Sequence, residues 1–136
     1  MTRALLLFGL VGCAAEPGVD LQADTASLLP VDQAPVPPVL TMVGTCPGPV
    51  TLSVTGATPG GLVRFAWSNR GPGAIPSGVC AGTQIKLLPP AMYSAAYTAS
   101  GAGTITAATT LLPAWCGMDA YAVDLTTCSQ SPPLAL

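Results

Sequence analysis

The alternation in Val50-Thr51-Leu52-Ser53-Val54-Thr55 is the clearest structural signal in the chain. Apolar and polar side chains alternate with a period of two, which is typical of a β-strand with one buried face. The turn sequence Thr58-Pro59-Gly60-Gly61 follows, in which proline presets the first turn position and Gly60 tolerates a positive φ. Val63, Phe65 and Trp67 then share one face of the next segment. The stretch therefore predicts two strands joined by a turn.

Similar short segments continue to the end of the chain. They are rich in Thr, Val and Tyr rather than in Glu, Lys and Arg, which favours strands over helices. The predicted strands after the first turn cover residues 63–67, 84–88, 92–99, 104–111, 121–125 and 134–136. About seven short strands predict an all-β fold, a small antiparallel β-sandwich. The layout resembles immunoglobulin-like or fibronectin-type modules, although the cysteine–tryptophan–cysteine arrangement of true immunoglobulin domains is absent.

Four cysteines lie within the predicted sandwich, namely Cys46, Cys80, Cys116 and Cys128. An even number in an exported domain indicates two disulfides. A bond between Cys116 and Cys128 is excluded because an extended strand of twelve residues covers about 40 Å, whereas a disulfide needs Cα atoms roughly 5.5 Å apart. Two pairings remain: Cys46–Cys116 with Cys80–Cys128, or Cys46–Cys128 with Cys80–Cys116. Alternating strand directions favour the first.

The amino-terminal segment has the pattern of an export signal. A short basic start with Arg3 precedes an apolar run that ends at Leu10-Val11-Gly12-Cys13. The run is too short for a membrane-spanning helix and has the length of a signal-peptide core. This ending resembles the lipobox of bacterial lipoproteins. The resemblance implies that residues 1–12 are removed and that Cys13 carries a diacylglyceryl group and an acylated amino terminus, with chains such as palmitate.

The resemblance also implies a location. A lipid at Cys13 would anchor the chain to a membrane of the cell envelope, and Ala14 resembles the pattern permissive for the outer membrane. Residues 13–45 are acidic and then proline-rich, which predicts a disordered, semi-rigid tether. The sandwich is then predicted to span residues 46–136. An alternative is that residues 39–43 already form its first strand.

Charge and residue types exclude several functions. Only 7% of residues are charged, and without Arg3 three basic residues face six acidic ones, a formal charge of −3. No basic patch exists, so nucleic-acid binding is not expected. The absence of histidine removes the common triads and the histidine-bearing zinc sites. A serine–lysine catalytic pair is not expected, because no serine lies at a motif spacing from Lys86. Paired catalytic carboxylates are not expected either, because Asp119 and Asp124 point to opposite faces of one strand.

The remaining patterns favour a non-enzymatic protein without cofactor or metal. We expect a structural or adhesive surface module of the cell envelope. The alternative is a binding module or inhibitor for a polysaccharide or a secreted protein. It would use a long loop over residues 69–83, stiffened by a disulfide at Cys80, with Asn69 and Arg70 as candidate contacts. Tyr93, Tyr97 and Trp67 could stack against sugar rings, although aromatics at this spacing are more often core.

Overall fold

The computed structural model describes residues 35–136, and these residues form a β-fold. Their only helical element is a 3₁₀ turn at Pro113–Trp115. The strands are β1 (Val39–Gly44), β2 (Gly48–Thr55), β3 (Leu62–Ser68), β4 (Arg70–Ala74), β5 (Gln84–Leu87), β6 (Met92–Thr98), β7 (Ile105–Leu111), β8 (Asp119–Asp124), β9 (Ser129–Gln130) and β10 (Leu134–Ala135). The predicted signal peptide, Cys13 and the first part of the predicted tether lie outside the described residues.

Two antiparallel sheets pack face to face. The first has the order β1-β2-β7, and the second has the order β10-β8-β3-β6, with β9 also paired to β8. This order is compatible with an immunoglobulin-like sandwich. The predicted all-β antiparallel fold is confirmed. The ten strands of the described residues exceed the expected seven because β1, β4 and β9 were not among the predicted ones.

The main core lies between the two sheets and follows the period-two pattern of the sequence. Val50, Leu52 and Val54 point inward from β2, and Val63 and Phe65 meet them from β3. Each such side chain contributes about 1.5–3 kcal/mol when fully buried. Val54 and Val63 are fully inaccessible to solvent. The alternation read from the sequence therefore identifies the face that drives sheet packing.

The sandwich begins earlier than the boundary predicted at residue 46. β1 pairs with β2 along its whole length, from Val39 opposite Thr55 to Gly44 opposite Val50. Leu40 is buried in the main core, and Met42 packs against it. The predicted extent of the tether is therefore wrong at its end, and the alternative of a strand over residues 39–43 is correct. The boundary was predicted too late because the proline-rich composition typical of a tether continues to Pro38, directly before β1.

The β4–β5 hairpin adds a third layer on the outer face of the second sheet. The predicted loop over residues 69–83 is wrong in its first part, because residues 70–74 form β4 and pair with β5. Small residues allow this pairing, since a Cβ atom on Gly73 would collide with the Leu87 carbonyl oxygen. The hairpin buries a second apolar cluster that includes Ile85, Leu87 and Tyr121. As a result, all residues of β8 are buried.

An irregularity in β6 separates two tyrosines that the sequence places on one face. Tyr97 lies opposite Val63, whereas Tyr93 lies opposite Ala66, because the pairing of β3 and β6 shifts after Arg64. The Phe65 N–H donates to the Ser94 hydroxyl at 3.0 Å and so keeps a partner within the bulge. The extra residue reverses the alternation. Tyr97 consequently faces the main core, and Tyr93 faces the hairpin layer.

Two disulfides join the layers, and the favoured pairing is confirmed. Cys46 is bonded to Cys116 and Cys80 to Cys128, with Cα atoms 5.5 and 5.4 Å apart. The first bond links the β1–β2 turn to the segment before β8. The second links the loop of the hairpin to the turn after β8. Within the described part of the chain, no helix has the length and apolar character needed to cross a membrane.

Candidate binding site

Asn69 and Arg70, the predicted contact residues, lie where β3 passes into the hairpin. Asn69 is exposed, and its carbonyl oxygen accepts the Leu88 N–H at 2.8 Å. The Arg70 Nε donates to the Asp119 Oδ2 at 2.6 Å. The Arg70 side chain is 69% exposed and that of Asp119 only 8%. The hydrogen bond that Arg70 donates to Asp119, together with the negative charge of that carboxylate, raises the pKa of Arg70. Arg70 therefore ties the hairpin to β8, and its role as a contact residue stays a prediction.

A cavity of about 190 Å³ lies between the hairpin loop and the outer face of the second sheet. We call it the hairpin cavity. Its wall is the loop segment Ile75 to Cys80, and its floor consists of Arg64, Tyr93, Val123 and Leu125. The wall is fixed by the bond from Cys80 to Cys128. This pocket thus combines an apolar lining with one cation.

Arg64 reaches the hairpin cavity from the centre of the second sheet. Its neighbours on the adjacent strands are Ala96 and Val123, neither of which bears an acceptor side chain. The Arg64 Nε is buried and has no hydrogen-bond partner. Among residues 35–136 the only ion pair joins Arg70 to Asp119, so the guanidinium of Arg64 has no carboxylate partner there.

Tyr93 provides a second polar group on the floor of the hairpin cavity. Burial raises the pKa of the Tyr93 hydroxyl, and the positive charge of Arg64 partly offsets this shift. The phenol therefore stays protonated at neutral pH and can donate a hydrogen bond. The cavity is thus lined by a guanidinium and a phenol beside Ser77 and mainly apolar side chains. Such a pair suits a ligand with an acceptor at one end.

A smaller apolar cleft of about 70 Å³ lies between the two sheets near β6 and β7. Trp67 and Trp115 meet edge to face there, with ring centroids 5.2 Å apart. Phe65 and Tyr97 form a second edge-to-face pair at 5.4 Å. The Nε1 of Trp67 is buried without a partner. Trp67 packs against the main core, whereas Tyr97 is 37% exposed and contacts Phe65 with its ring. The role of these rings in sugar stacking stays a prediction.

The acidic residues of β8 serve separate contacts. Asp119 pairs with Arg70, whereas Asp124 accepts hydrogen bonds from Thr58 and Thr126 on the opposite face. The two carboxylates do not share a site. In the part of the chain that the structure describes, no three residues of the types His, Cys, Asp and Glu cluster as metal ligands.

The sequence pattern placed Arg64 on the face of β3 away from the main core, and this signal was available. It did not indicate a site, because nothing local showed that the hairpin would cover that face. Comparisons with protein-family models, with curated proteins and with solved structures found no match. A functional assignment therefore depends on the residues themselves.

Proposed function

We propose that the chain is a non-enzymatic lipoprotein of the cell envelope, anchored through Cys13, that displays the sandwich as a structural or adhesive surface module. The observation that carries this proposal is the pairing of every cysteine in the sandwich. Disulfides form and persist in oxidising compartments, which supports export. Cys13 is the one cysteine left over from these two bonds, and it stands at the end of the lipobox-like sequence.

The low charge of the chain agrees with this role. Only 7% of residues are charged, and a charge-poor surface is a liability for a freely diffusing protein. A membrane anchor keeps molecules apart and oriented. The acidic, proline-rich segment after Cys13 would then hold the sandwich away from the bilayer, since such composition favours extended chain.

The test is replacement of Cys13 in the full chain expressed in a bacterial host. The native chain is expected in the membrane fraction and labelled by palmitate. Cys13→Ser is expected to release the chain and abolish the label, because stable anchoring requires more than one acyl chain. The matched control is the double variant Cys80→Ser with Cys128→Ser, which loses cysteines but keeps the anchor. Retention of Cys13→Ser in membranes, or a native chain without label, would overturn the anchor.

A second candidate function is a binding module for a polysaccharide or a secreted protein that uses the segment over residues 69–83. It is favoured by the bond from Cys80 to Cys128, which fixes this largely exposed segment as the outer wall of the hairpin cavity. A rigid wall reduces the entropy lost on binding. Glycan-array binding and capture from envelope extracts, with native chain and with Asn69→Ala/Arg70→Ala, test it. Undiminished capture by the double variant would remove Asn69 and Arg70 as contacts.

A further inference from the structure

We infer that the hairpin cavity binds a small monocarboxylate with an apolar tail, held by Arg64 and Tyr93. This inference goes beyond the proposed envelope function and does not depend on lipidation. Its starting point is the guanidinium of Arg64, which lines the cavity and has no carboxylate partner within residues 35–136. The Nε is closed to solvent, so a ligand would pair with the outer nitrogens of the group. A hydrogen bond to a charged partner is stronger than a neutral one, which favours a carboxylate oxygen as the acceptor.

The size of the cavity limits the ligand. Its volume is about 190 Å³. A buried apolar cavity of about 150 Å³ is enough for benzene. A single ring or a short branched chain together with one carboxylate therefore fits, and a disaccharide or a folded protein segment does not. The apolar side chains of Ile75, Val79, Val123 and Leu125 supply the surface for such a tail.

The charge of the cavity selects a monoanion. Arg64 is the only cation among the lining residues, and no acidic residue lines the cavity. One guanidinium matches one carboxylate in charge and in the planar geometry of its donors. The protonated hydroxyl of Tyr93 adds a further donor. A phosphate dianion would place a second charge among apolar side chains without a second cation.

The wall of the cavity is organised before a ligand arrives. Cys80 is buried and bonded to Cys128. The Ile75 N–H donates to the Thr83 carbonyl at 2.9 Å, and the Gly82 N–H donates to the Ile75 carbonyl at 2.9 Å. The loop is thus closed by a covalent bond and by hydrogen bonds at its base. Little ordering is left to be done on binding, which favours affinity for small ligands.

The probe for the experiment is 3-phenylpropanoate, with 3-phenylpropanol as its uncharged counterpart and phenyl phosphate as a dianion. The protein is the full chain carrying Cys13→Ser, exported so that both disulfides form, and labelled with ¹⁵N. Titration is followed by amide chemical shifts. The acid is expected to bind saturably and to shift amides of residues 64, 75–80 and 123–125. The alcohol and the phosphate are expected to bind at least about tenfold more weakly.

Three variants separate recognition from folding. Arg64→Gln is expected to weaken the binding of 3-phenylpropanoate at least about tenfold and to leave the affinity for 3-phenylpropanol unchanged. Tyr93→Phe is expected to weaken the binding of 3-phenylpropanoate by a smaller factor. Lys86→Gln, an exposed cation on β5 outside the cavity, is expected to bind like the parent. If Arg64→Gln does not fold, the affinities of the Cys13→Ser chain for the acid, the alcohol and the phosphate test the inference by themselves.

Several results would overturn the inference. The first is the absence of saturable binding of the acid up to about 10 mM, since this would leave the cavity without a ligand of the stated class. Equal affinity for acid and alcohol would mean that Arg64 does not recognise the anion. Tighter binding of phenyl phosphate than of 3-phenylpropanoate would show that the site prefers a dianion. Chemical-shift changes centred on Trp67 and Trp115 would show that the acid binds in the cleft between the sheets. Loss of the anchor in Cys13→Ser affects none of these readouts, so the two proposals fail separately.

Discussion

Asp124 is a buried carboxylate that holds a turn in place. The Thr58 N–H donates to its Oδ2 at 2.7 Å, and the Thr58 hydroxyl donates to the same atom at 2.8 Å. The Thr126 N–H donates to its Oδ1 at 2.8 Å. Thr58 lies in the turn between β2 and β3, whereas Asp124 ends β8. One ionised side chain therefore connects the turn that joins the two sheets to the central strand of the second.

These contacts predict a pH dependence. Burial alone raises the pKa of Asp124, but the hydrogen bonds from Thr58, Thr126 and Thr127 outweigh it and lower the pKa below its ordinary value of 3.8. Because the pKa of Asp124 is lower in the folded than in the unfolded state, its ionisation stabilises the fold above pH 3.8. This contribution to the free energy of unfolding is lost as the pH falls through the pKa of the folded state. Asp124→Asn is expected to be less stable at neutral pH, with a difference that shrinks below pH 3.8.

Urea unfolding as a function of pH measures this effect. Thr58→Ala removes one donor and is expected to reduce the acid-dependent part of the unfolding free energy. Thr58→Ser keeps the hydroxyl and serves as the matched control. A constant difference between Asp124→Asn and the parent across the acid range would show that the ionisation of Asp124 does not stabilise the fold.

The β4–β5 hairpin is the element on which the candidate site depends. It contacts the second sheet through Ile85 and Leu87 in the outer apolar cluster. An ion pair holds its first strand at Arg70, and a disulfide holds its loop at Cys80. The hairpin also contains several glycines and prolines. Its position therefore depends on these few contacts with β8 and on the turn after it.

The ion pair predicts unequal effects for the two cations of the hairpin. Arg70→Ala is expected to destabilise the chain, because it leaves the buried carboxylate of Asp119 without its partner. Lys86→Ala is the matched control, since Lys86 is exposed on β5 and has no ion pair in the described structure. Thermal unfolding at pH 7 measures both. A melting temperature lowered equally by the two changes would contradict a bridging role for Arg70.

The two disulfides predict different local consequences. Each closes a long loop, of 70 and 48 residues in sequence separation, for which loop-closure entropy gives roughly 4 kcal/mol of stability. Cys80→Ser with Cys128→Ser is expected also to release the hairpin loop, so that proteases cut within residues 76–82. Cys46→Ser with Cys116→Ser is expected to lower stability similarly without exposing that segment. Limited proteolysis below the unfolding midpoint distinguishes them, and equal cutting in both variants would contradict a local role for Cys80–Cys128.

At the scale of the whole molecule, the described residues form three layers, with the second sheet in the middle. β8 is buried on both faces, by the main core on one side and by the hairpin on the other. Both disulfides lie at the ends of β8, since Cys116 precedes it and Cys128 follows it. The covalent links therefore fasten the outer elements to the central strand.

This arrangement predicts the thiol content of the exported chain. Cys46, Cys80, Cys116 and Cys128 are all consumed in bonds, so the full chain carrying Cys13→Ser is expected to show no reactive thiol in denaturant. Four thiols are expected after reduction, because four cysteines remain. Mass spectrometry after alkylation counts them. A thiol detected before reduction would contradict the pairing, and peptide mapping would identify the bond that fails to form.

The sequence by itself determined seven of the ten described strands and the inward faces of β2 and β3, and it reduced the three disulfide pairings to two, of which it favoured the one observed. Alternation of side chains acts locally, and the reach of an extended strand excludes Cys116–Cys128 from spacing alone. The tertiary structure decided what covers each strand. Val39–Gly44 resembles a tether until it pairs with β2. Tyr93 changes face because one residue is inserted against β3. Arg64 becomes a site only when the hairpin folds over it. These outcomes depend on contacts between residues distant in the chain, and no local pattern encodes them.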